Sequence, residues 1–323
     1  MTLRLGFLIQ LLGTVLLFPG QAGADDGSFA AWLDDVRLDA GKRGVAEATL
    51  KSALADAAPI DRVLARQNKQ PESVLSWAEY GRRVVSEDRI LRGRQHMERQ
   101  GELLQAVAAA HHVQPRFLVA LWGVESDFGA HTGDTPAVSA LATLGWRGRR
   151  REYFRSELIE LLLAVDAGYA DPGRLLSSWA GALGQCQFMP SNFRRFAVDQ
   201  DGDGRRDIWT STGDVLGSMA RFLAHLGWKD DETWGRPVLL PDGFDARLAG
   251  RDTKMRLSRW NQLGLRRLNG GDLPDRNLWA TLILPDGPRG DAFLVYDDFF
   301  TLMRWNRSYH FALSVGMLSD RLR

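Results

Sequence analysis

Hydrophobic residues recur at helical spacing over most of the chain. In residues 29–110 apolar positions lie three or four apart with charged positions between them, which predicts helices. A second helix-rich stretch is predicted for residues 115–228, interrupted by a Gly-rich loop at 129–136 and an Asp-rich loop at 199–214. The pattern therefore predicts a largely helical chain.

The pattern changes toward the carboxyl end. Residues 234–295 show short apolar runs separated by turns, and two of these runs end in Pro-Asp-Gly, at 241–243 and 285–287. Such endings predict paired strands. A last helix is predicted from Tyr296 to about Leu318, and no repeat or flexible linker separates independent domains. The predicted fold class is mainly α (α+β), with a small β-containing lobe at about 234–295.

The first 24 residues are typical of a secretory signal peptide. Arg4 supplies a positive start, residues 5–18 supply an apolar run, and Ala22-Gly23-Ala24 supplies the small residues of a cleavage site. The apolar run is shorter than the roughly 20 residues of a membrane span, so an uncleaved anchor is the weaker alternative. We expect an exported, soluble mature chain of residues 25–323 in the periplasm, without stable membrane insertion.

Composition and charge narrow the classes of partner. The 323 residues are 45% hydrophobic and 25% charged, which is typical of a globular protein. A net charge of +1 provides no overall excess of positive charge that would attract nucleic acid, so a neutral polymer is the better partner. Cys186 is the only cysteine, which excludes an internal disulfide and Cys-based zinc sites.

One acidic residue lies at the end of a predicted buried helix. Pro115 suits a first helical turn and Gly129 suits a helix stop. Glu125 shares a helix face with three apolar residues, Leu118, Leu121 and Trp122. Partial burial there should raise its pKa toward the range that a general acid needs. The alternative is a structural Glu that pairs with an Arg or caps a loop.

Residues 178–191 combine small residues with two glutamines and two aromatics. The small residues would let a polymer approach the backbone, and the amides of Gln185 and Gln187 suit neutral sugars. Trp179 and Phe188 offer apolar faces for pyranose rings. The alternative is tight helix packing followed by a proline stop.

The Asp-rich loop matches the oxygen-ligand spacing of an EF-hand. Arg205 stands at position 7 and Gly204 at position 6, and the acids at positions 1, 3, 5 and 9 are Asp199, Asp201, Asp203 and Asp207. Position 12 is Thr210 instead of the usual Glu, and Asp214 is the nearest downstream acid that could close the site. We expect a structural Ca²⁺ here; the alternative is a solvated Asp-Gly turn.

Two of these segments together resemble a known family. Trp-Gly-Val-Glu-Ser-Asp-Phe-Gly at 122–129, followed by Ala-Gly-Ala-Leu-Gly-Gln-Cys-Gln-Phe-Met-Pro-Ser at 180–191, is similar to the lytic murein transglycosylase B family, the soluble periplasmic type of glycoside hydrolase family 103. The likeness extends through residues 149–154, the Asp-rich loop and residues 305–308, and so covers most of the mature chain.

The resemblance implies a fold and a site. The fold would be a lysozyme-like helical core with an additional N-terminal helical lobe, and Asp214 would close the calcium loop. Glu125 would be the catalytic residue, and the substrate would contact Ser178, Gln187, Phe188, Met189, Arg149, Arg150, Trp305 and Asn306. The Arg residues would bind substrate carboxylates, although a run of arginines is more often a solvated face. Cys186 stands where we expect Gly in the family, and Phe311 where Tyr is commoner.

The resemblance also implies the reaction. Ordinary glycosidases use two carboxylates, but Asp127 is two residues from Glu125 and is a poor second member. In the resembled family the substrate, a peptidoglycan glycan strand, supplies its own 6-hydroxyl as nucleophile and ends in 1,6-anhydromuramic acid. The alternatives are a hydrolytic muramidase and a non-catalytic wall-binding protein. The sequence indicates no protein partner.

We expect export to remove residues 1–24, because the charged start, the apolar run and the small residues coincide there. N-terminal sequencing of the periplasmic protein should therefore begin at Asp25. A retained Met1 would contradict both the cleavage and the soluble mature chain.

Overall fold

The computed structural model describes residues 27–67, 75–171, 173 and 175–323, so the expected signal peptide lies outside the described residues. Fourteen α-helices lie within these ranges: α1 Phe29–Lys42, α2 Glu47–Ala53, α3 Asp61–Arg66, α4 Trp77–Val84, α5 Glu87–Arg99, α6 Gly101–His111, α7 Pro115–Ser126, α8 Ala137–Arg147, α9 Arg151–Asp166, α10 Pro190–Phe196, α11 Thr212–His225, α12 Leu257–Gln262, α13 Asp297–Trp305 and α14 Tyr309–Arg321. The same ranges hold seven short strands: β1 Thr135–Pro136, β2 Leu176–Ser177, β3 Gly235–Leu239, β4 Lys254–Arg256, β5 Arg266–Arg267, β6 Trp279–Ile283 and β7 Ala292–Val295.

The described residues form two compact units. The first contains residues up to Gln70 together with Glu125–Phe222, and the second contains Pro71–Val124 and Leu223–Arg323. Each unit is therefore built from two separate stretches of sequence, and the chain passes between the units within α7 and within α11.

The core of the first unit is the pair of helices α8 and α9. Helix α8 is buried along its first nine residues, Ala137–Gly145, and α9 buries Phe154, Leu158 and Leu161. Helices α1, α2 and α10 pack on α9, and α3 packs on α8. The two-residue strands β1 and β2 pair antiparallel beside them, with Thr135 opposite Ser177.

The second unit contains an antiparallel five-stranded sheet with the strand order β4-β6-β7-β3-β5. The side chains of Trp260, Leu282, Leu294 and Tyr296 form a hydrophobic cluster on it. The two strands that precede the Pro-Asp-Gly turns, β3 and β6, lie in this sheet but are not paired with each other, because β7 lies between them.

The prediction of one continuous terminal helix is wrong, because the chain forms two helices there. Helix α13 ends at Trp305, Asn306 has an extended backbone, and α14 begins at Tyr309. The break is stabilised by Ser308, whose hydroxyl accepts the backbone N–H of Phe311 at 3.2 Å and caps the new helix.

Within the part of the chain that the structure describes, none of the helices has both the length and the apolar character that crossing a bilayer would require. The predicted fold class is confirmed: the chain is mainly helical, and its larger sheet lies between Gly235 and Val295.

We expect Gly316→Ala to destabilise the protein by about 1–3 kcal/mol, because an added methyl group would overpack a filled core. A Cβ at this position in α14 would overlap the indole of Trp234, which is fully buried. Thermal unfolding measures the effect. Gly101→Ala at the start of α6 is the control, since nothing lies within 4 Å of its Cβ, and it should match or slightly exceed the wild-type stability. Equal unfolding temperatures for both variants would contradict the expectation.

Candidate active site

Glu125 lies in the last turn of α7 and is only 2% exposed. The helix ends at Ser126, three residues before the predicted stop at Gly129. Asp127 and Phe128 instead adopt left-handed backbone angles, with φ of 54° and 60°. Non-glycine residues rarely adopt this conformation, and where they do, it often marks a functional site. Ser126 fixes the turn, because its hydroxyl accepts the N–H of Gly129 at 3.1 Å.

The helix that carries Glu125 is buried on every side over the two turns before it. Leu118, Leu121 and Trp122 are buried, as the spacing predicted, and so are Val119 and Ala120 on the other faces. Helix α7 is therefore a core helix throughout its second half, and it holds the carboxylate in a fixed position.

The segment between β2 and α10 lies beside the loop that follows Glu125. Ser178 is buried, and its hydroxyl accepts the N–H of Ala182 at 3.1 Å. Gln187 has a left-handed backbone with φ of 51°, and its side-chain Nε2 donates to the carbonyls of Gly184 at 2.8 Å and Thr132 at 3.1 Å. Because Thr132 belongs to the loop after α7, Gln187 joins the two segments that the sequence motifs singled out.

Gln185 joins the same segment to the Asp-rich loop. Its backbone N–H donates to the carbonyl of Ile208 at 2.8 Å, and its side-chain Nε2 donates to the carbonyl of Trp209 at 2.7 Å. A Cβ on Gly129 would overlap the Gln185 amide. The loop after Glu125, the Gln185–Gln187 stretch and the end of the Asp-rich loop therefore form one packed group in the first unit.

Cys186 lies inside this group and is fully buried. Burial raises the pKa of its thiol well above the usual value, and the negative charges of Glu125 and Asp214 act in the same direction. The thiol donates a hydrogen bond to the carbonyl of Val215 at 3.5 Å. A protonated thiol supports the site as a small buried side chain, not as a nucleophile.

The aromatic side chains of the segment, which the sequence predicts as sugar platforms, pack into the protein. Phe188 is 1% exposed, and its ring packs edge-on against Phe222 with centroids 5.4 Å apart. Its backbone N–H and carbonyl both bond to Leu183. Met189 is likewise buried, as the residue before α10, and Trp179 is 4% exposed. These side chains shape the segment, and their contact with the substrate stays a prediction.

The remaining predicted contacts fall in two places. Arg149 and Arg150 lie in the first unit, between α8 and α9. Arg149 is exposed, and the guanidinium of Arg150 stacks on the ring of Tyr153 at 4.0 Å. Trp305 and Asn306 belong to the second unit, at the break after α13. The Asn306 side chain is buried, and its Oδ1 accepts the N–H of Ser308 at 3.2 Å. Among the described residues its Nδ2 has no hydrogen bond partner.

The Asp-rich loop brings three of the six predicted metal ligands together. One carboxylate oxygen from each of Asp199, Asp201 and Asp203 lies within 4.8 Å of the others, and all three side chains are exposed. Asp199 also accepts the N–H of Gly202 at 2.7 Å, which gives the loop its tight turn. Clustered carboxylate oxygens are the ligands that Ca²⁺ prefers.

The other predicted ligands have different contacts in this structure. Asp214 is fully buried, and its two oxygens accept the N–H groups of Gln200 at 2.7 Å and Asp207 at 2.6 Å. It thereby fastens both sides of the loop. Asp207 accepts the N–H groups of Trp209 and Thr210, and the backbone N–H of Arg205 donates to Asp203 at 2.8 Å. Asp207 and Asp214 stand outside the three-carboxylate cluster.

One buried acid was missed in the sequence. Glu157 on α9 is 5% exposed and accepts two hydrogen bonds from Ser191, at 2.9 Å from the backbone N–H and 2.8 Å from the hydroxyl. Burial raises the pKa of this carboxyl, against the lowering effect of the Ser191 bonds. A signal was present: Glu157 lies three residues after Phe154 and four before Leu161, on the apolar face of its helix.

Comparison with known proteins identifies the family. The transglycosylase SLT domain family matches residues 28–320. The chain is 29% identical to the membrane-bound lytic murein transglycosylase B of Escherichia coli, over 98% of this chain and 88% of that protein.

Solved structures agree with that match. SltB3 from Pseudomonas aeruginosa in complex with NAG-NAM-pentapeptide is 37% identical with a TM-score of 0.88, over 92% of this chain and 80% of that one; it was also solved with NAG-anhNAM-pentapeptide. The Escherichia coli lytic transglycosylase Slt35 in complex with calcium is 28% identical with a TM-score of 0.76, over 94% and 95%. The fold with a lysozyme-like core is thus confirmed, and the chain belongs to the transglycosylase SLT domain family.

Proposed function

We propose that the chain is a peptidoglycan lytic transglycosylase that cleaves the β-1,4 bond between N-acetylmuramic acid and N-acetylglucosamine. The observation that carries the proposal is the family match over residues 28–320, within which Glu125 is buried at the end of a core helix. The relative SltB3, which was solved with NAG-NAM-pentapeptide, supports peptidoglycan as the substrate. We place the reaction in the periplasm, after removal of residues 1–24.

Glu125 serves as the single acid and base. It donates its proton to the glycosidic oxygen as the bond from C1 of the muramic acid breaks. It then accepts the proton of the 6-hydroxyl of the same sugar, whose oxygen forms the new bond to C1. The product ends in 1,6-anhydromuramic acid, no water is consumed, and Glu125 is again protonated. The relative solved with NAG-anhNAM-pentapeptide supports this product.

Two side chains of the segment between β2 and α10 would orient the sugar. Both Nε2 hydrogens of Gln187 are engaged by Thr132 and Gly184, so its side-chain oxygen remains to accept a sugar hydroxyl or acetamide N–H. The hydroxyl of Ser178 accepts a backbone N–H, which leaves its own hydrogen to donate.

Two arginines in the first unit would bind charged groups of the substrate. Arg149 and Arg150 suit the carboxylates of the lactyl group or the stem peptide, because guanidinium binds carboxylate with two parallel bonds. In the second unit, the Nδ2 group of Asn306 is a donor suited to a sugar oxygen.

A hydrolytic muramidase is the alternative within the same chemistry. It would need a second carboxylate for water, and Asp127, the nearest acid in sequence, has a left-handed backbone and lies 3.8 Å from the ring of His131. A non-catalytic wall-binding protein is the alternative from another class. It would bind the same glycan and release no products.

We also propose that the Asp-rich loop binds Ca²⁺. Asp199, Asp201 and Asp203 would hold the ion, and the relative Slt35, which was solved in complex with calcium, supports the choice of metal. The ion would neutralise three adjacent carboxylates and stabilise the loop. It would take no part in the reaction.

Calcium should raise the unfolding temperature, because a ligand bound only by the folded state stabilises it, by about 2.7 kcal/mol at 100 times Kd. Differential scanning calorimetry in calcium and in chelator measures this. Asp203→Ala should abolish the response, because it removes a ligand oxygen. Asp245→Ala, which removes an exposed acid paired with Arg247 outside the loop, should respond as the wild type does. Identical melting of the wild type in both conditions would mean that the loop is only a turn.

Glu125→Gln should fold normally but release essentially no muropeptides, because the amide can neither donate nor recover the proton. General acid–base catalysis is worth about 10² to 10⁴ in rate, and one residue here serves both transfers. Mass analysis of products released from purified sacculi measures the loss. As the matched control, Asp127→Asn should still release anhydro products.

The wild-type products should carry 1,6-anhydromuramic ends and remain unlabelled when the reaction runs in heavy-oxygen water. Label at C1 would mean that water attacks, and the enzyme would be a muramidase with Glu125 as its acid. Full activity of Glu125→Gln would overturn the mechanism itself.

A further inference from the structure

Glu157 of α9 is a buried carboxylate to which the reaction assigns no role. Its two oxygens accept the backbone N–H and the hydroxyl of Ser191, and the hydroxyl of Tyr153 also bonds to it. A charged group at 5% exposure is retained only where such bonds offset the loss of water. These hydrogen bonds therefore hold the Glu157 side chain in one position.

The partner of Glu157 lies at the start of α10. Ser191 is the second residue of this helix, where backbone N–H groups have no partner inside the helix itself. The residue before the helix, Met189, supplies no side-chain cap. The bond from Ser191 to Glu157 fills this role from a neighbouring helix and fixes where α10 begins.

The segment that contains Gln187 ends at the same point. Only Phe188, Met189 and Pro190 separate Gln187 from Ser191. The upstream end of the segment is fixed by β2, and Leu183 pairs with Phe188 across it. Gln187 holds a left-handed backbone between these anchors, a conformation that persists only when its surroundings enforce it.

Glu160 provides a natural comparison one turn further along α9. It is paired with Arg194 of α10 at 2.6 Å and with Arg43. Both acids thus fasten α9 to α10, but Glu160 does so inside the helix and Glu157 at its first turn, next to the Gln187 segment.

We infer that Glu157 is a positioning residue for glycan binding: by holding Ser191 it fixes the start of α10 and, through it, the orientation of Gln187. The inference rests on the proposed function, because it takes Gln187 to be a contact for the sugar. Glu157 itself does not touch the substrate.

Cys186 gives a readout of this positioning that is independent of activity. It is the only cysteine in the chain, stands next to Gln187 and is fully buried, so it reacts with a thiol reagent only when the segment opens. In Glu157→Gln the amide oxygen can accept only one Ser191 donor, and the NH₂ can at best donate to the Ser191 hydroxyl, so both contacts lose the charge assistance of the carboxylate. Loss of that charge assistance should raise the labelling rate about 10- to 100-fold.

The experiment compares Glu157→Gln, Ser191→Ala, the double variant and the control Glu160→Gln in the full mature chain. Each is assayed for Cys186 labelling, at temperatures equally far below its own unfolding midpoint, and for kcat and KM on a defined NAG-NAM oligomer. Glu157→Gln should label faster and raise KM about tenfold with a smaller change in kcat, since Gln187 binds sugar and transfers no proton. The effects of Glu157→Gln and Ser191→Ala on labelling and KM should not add in the double variant, because both changes weaken the same contact. Glu160→Gln should lower the unfolding temperature and leave labelling and KM at wild-type values.

Equal labelling and equal KM in Glu157→Gln and Glu160→Gln would overturn the inference, because Glu157 would then be only a structural acid. Faster labelling with an unchanged KM would overturn it at a different step, since the anchored segment would not bind glycan. Failure of the proposed function is distinguishable from both, because wild-type protein would then release no anhydro product.

Discussion

The candidate site depends on one constraint: a buried segment without regular secondary structure must find partners for its backbone polar groups elsewhere. The stretch between β2 and α10 meets this need through short-range pairing, as between Leu183 and Phe188, and through contacts with other loops, as between Gln185 and Ile208. The contacts with other loops tie the stretch to the rest of the first unit. The glutamines are held in place because the buried N–H and C=O groups of the backbone around them need hydrogen bond partners.

Buried acids help to meet the same need, because their oxygens accept backbone N–H groups. Glu157 accepts the N–H of Ser191, and Asp214 accepts those of Gln200 and Asp207. In the second unit, Asp298 accepts the N–H of Lys229 at 3.0 Å and is fully buried. Burial raises the pKa of Asp298 to about 7. A carboxylate that supports backbone in this way gives rigidity at the cost of desolvation, so such acids lie where an irregular segment needs a fixed shape.

Periodicity and local motifs in the sequence were enough to predict the fold class and the position of Glu125. Apolar spacing gave a mainly helical chain with a small sheet, and it placed Glu125 at the buried end of a helix beginning at Pro115. It could not assign tertiary partners. Asp214 has ligand spacing but fastens backbone, and Phe188 looks like a sugar platform but packs on Phe222. The break at Asn306 was missed because neither Pro nor Gly marks it; the helix cap at Ser308 was the available signal.

Gly133 limits how the site could be redesigned. Its backbone is left-handed with φ of 99°, and a Cβ there would overlap the carbonyl of Ser177 at the end of β2. A directed-evolution library that varies the loop after α7 to accept other glycans should therefore leave this position unchanged. Ala130 and His131, which are exposed, can carry diversity. The same crowding makes the loop difficult to lengthen by insertion at Gly133.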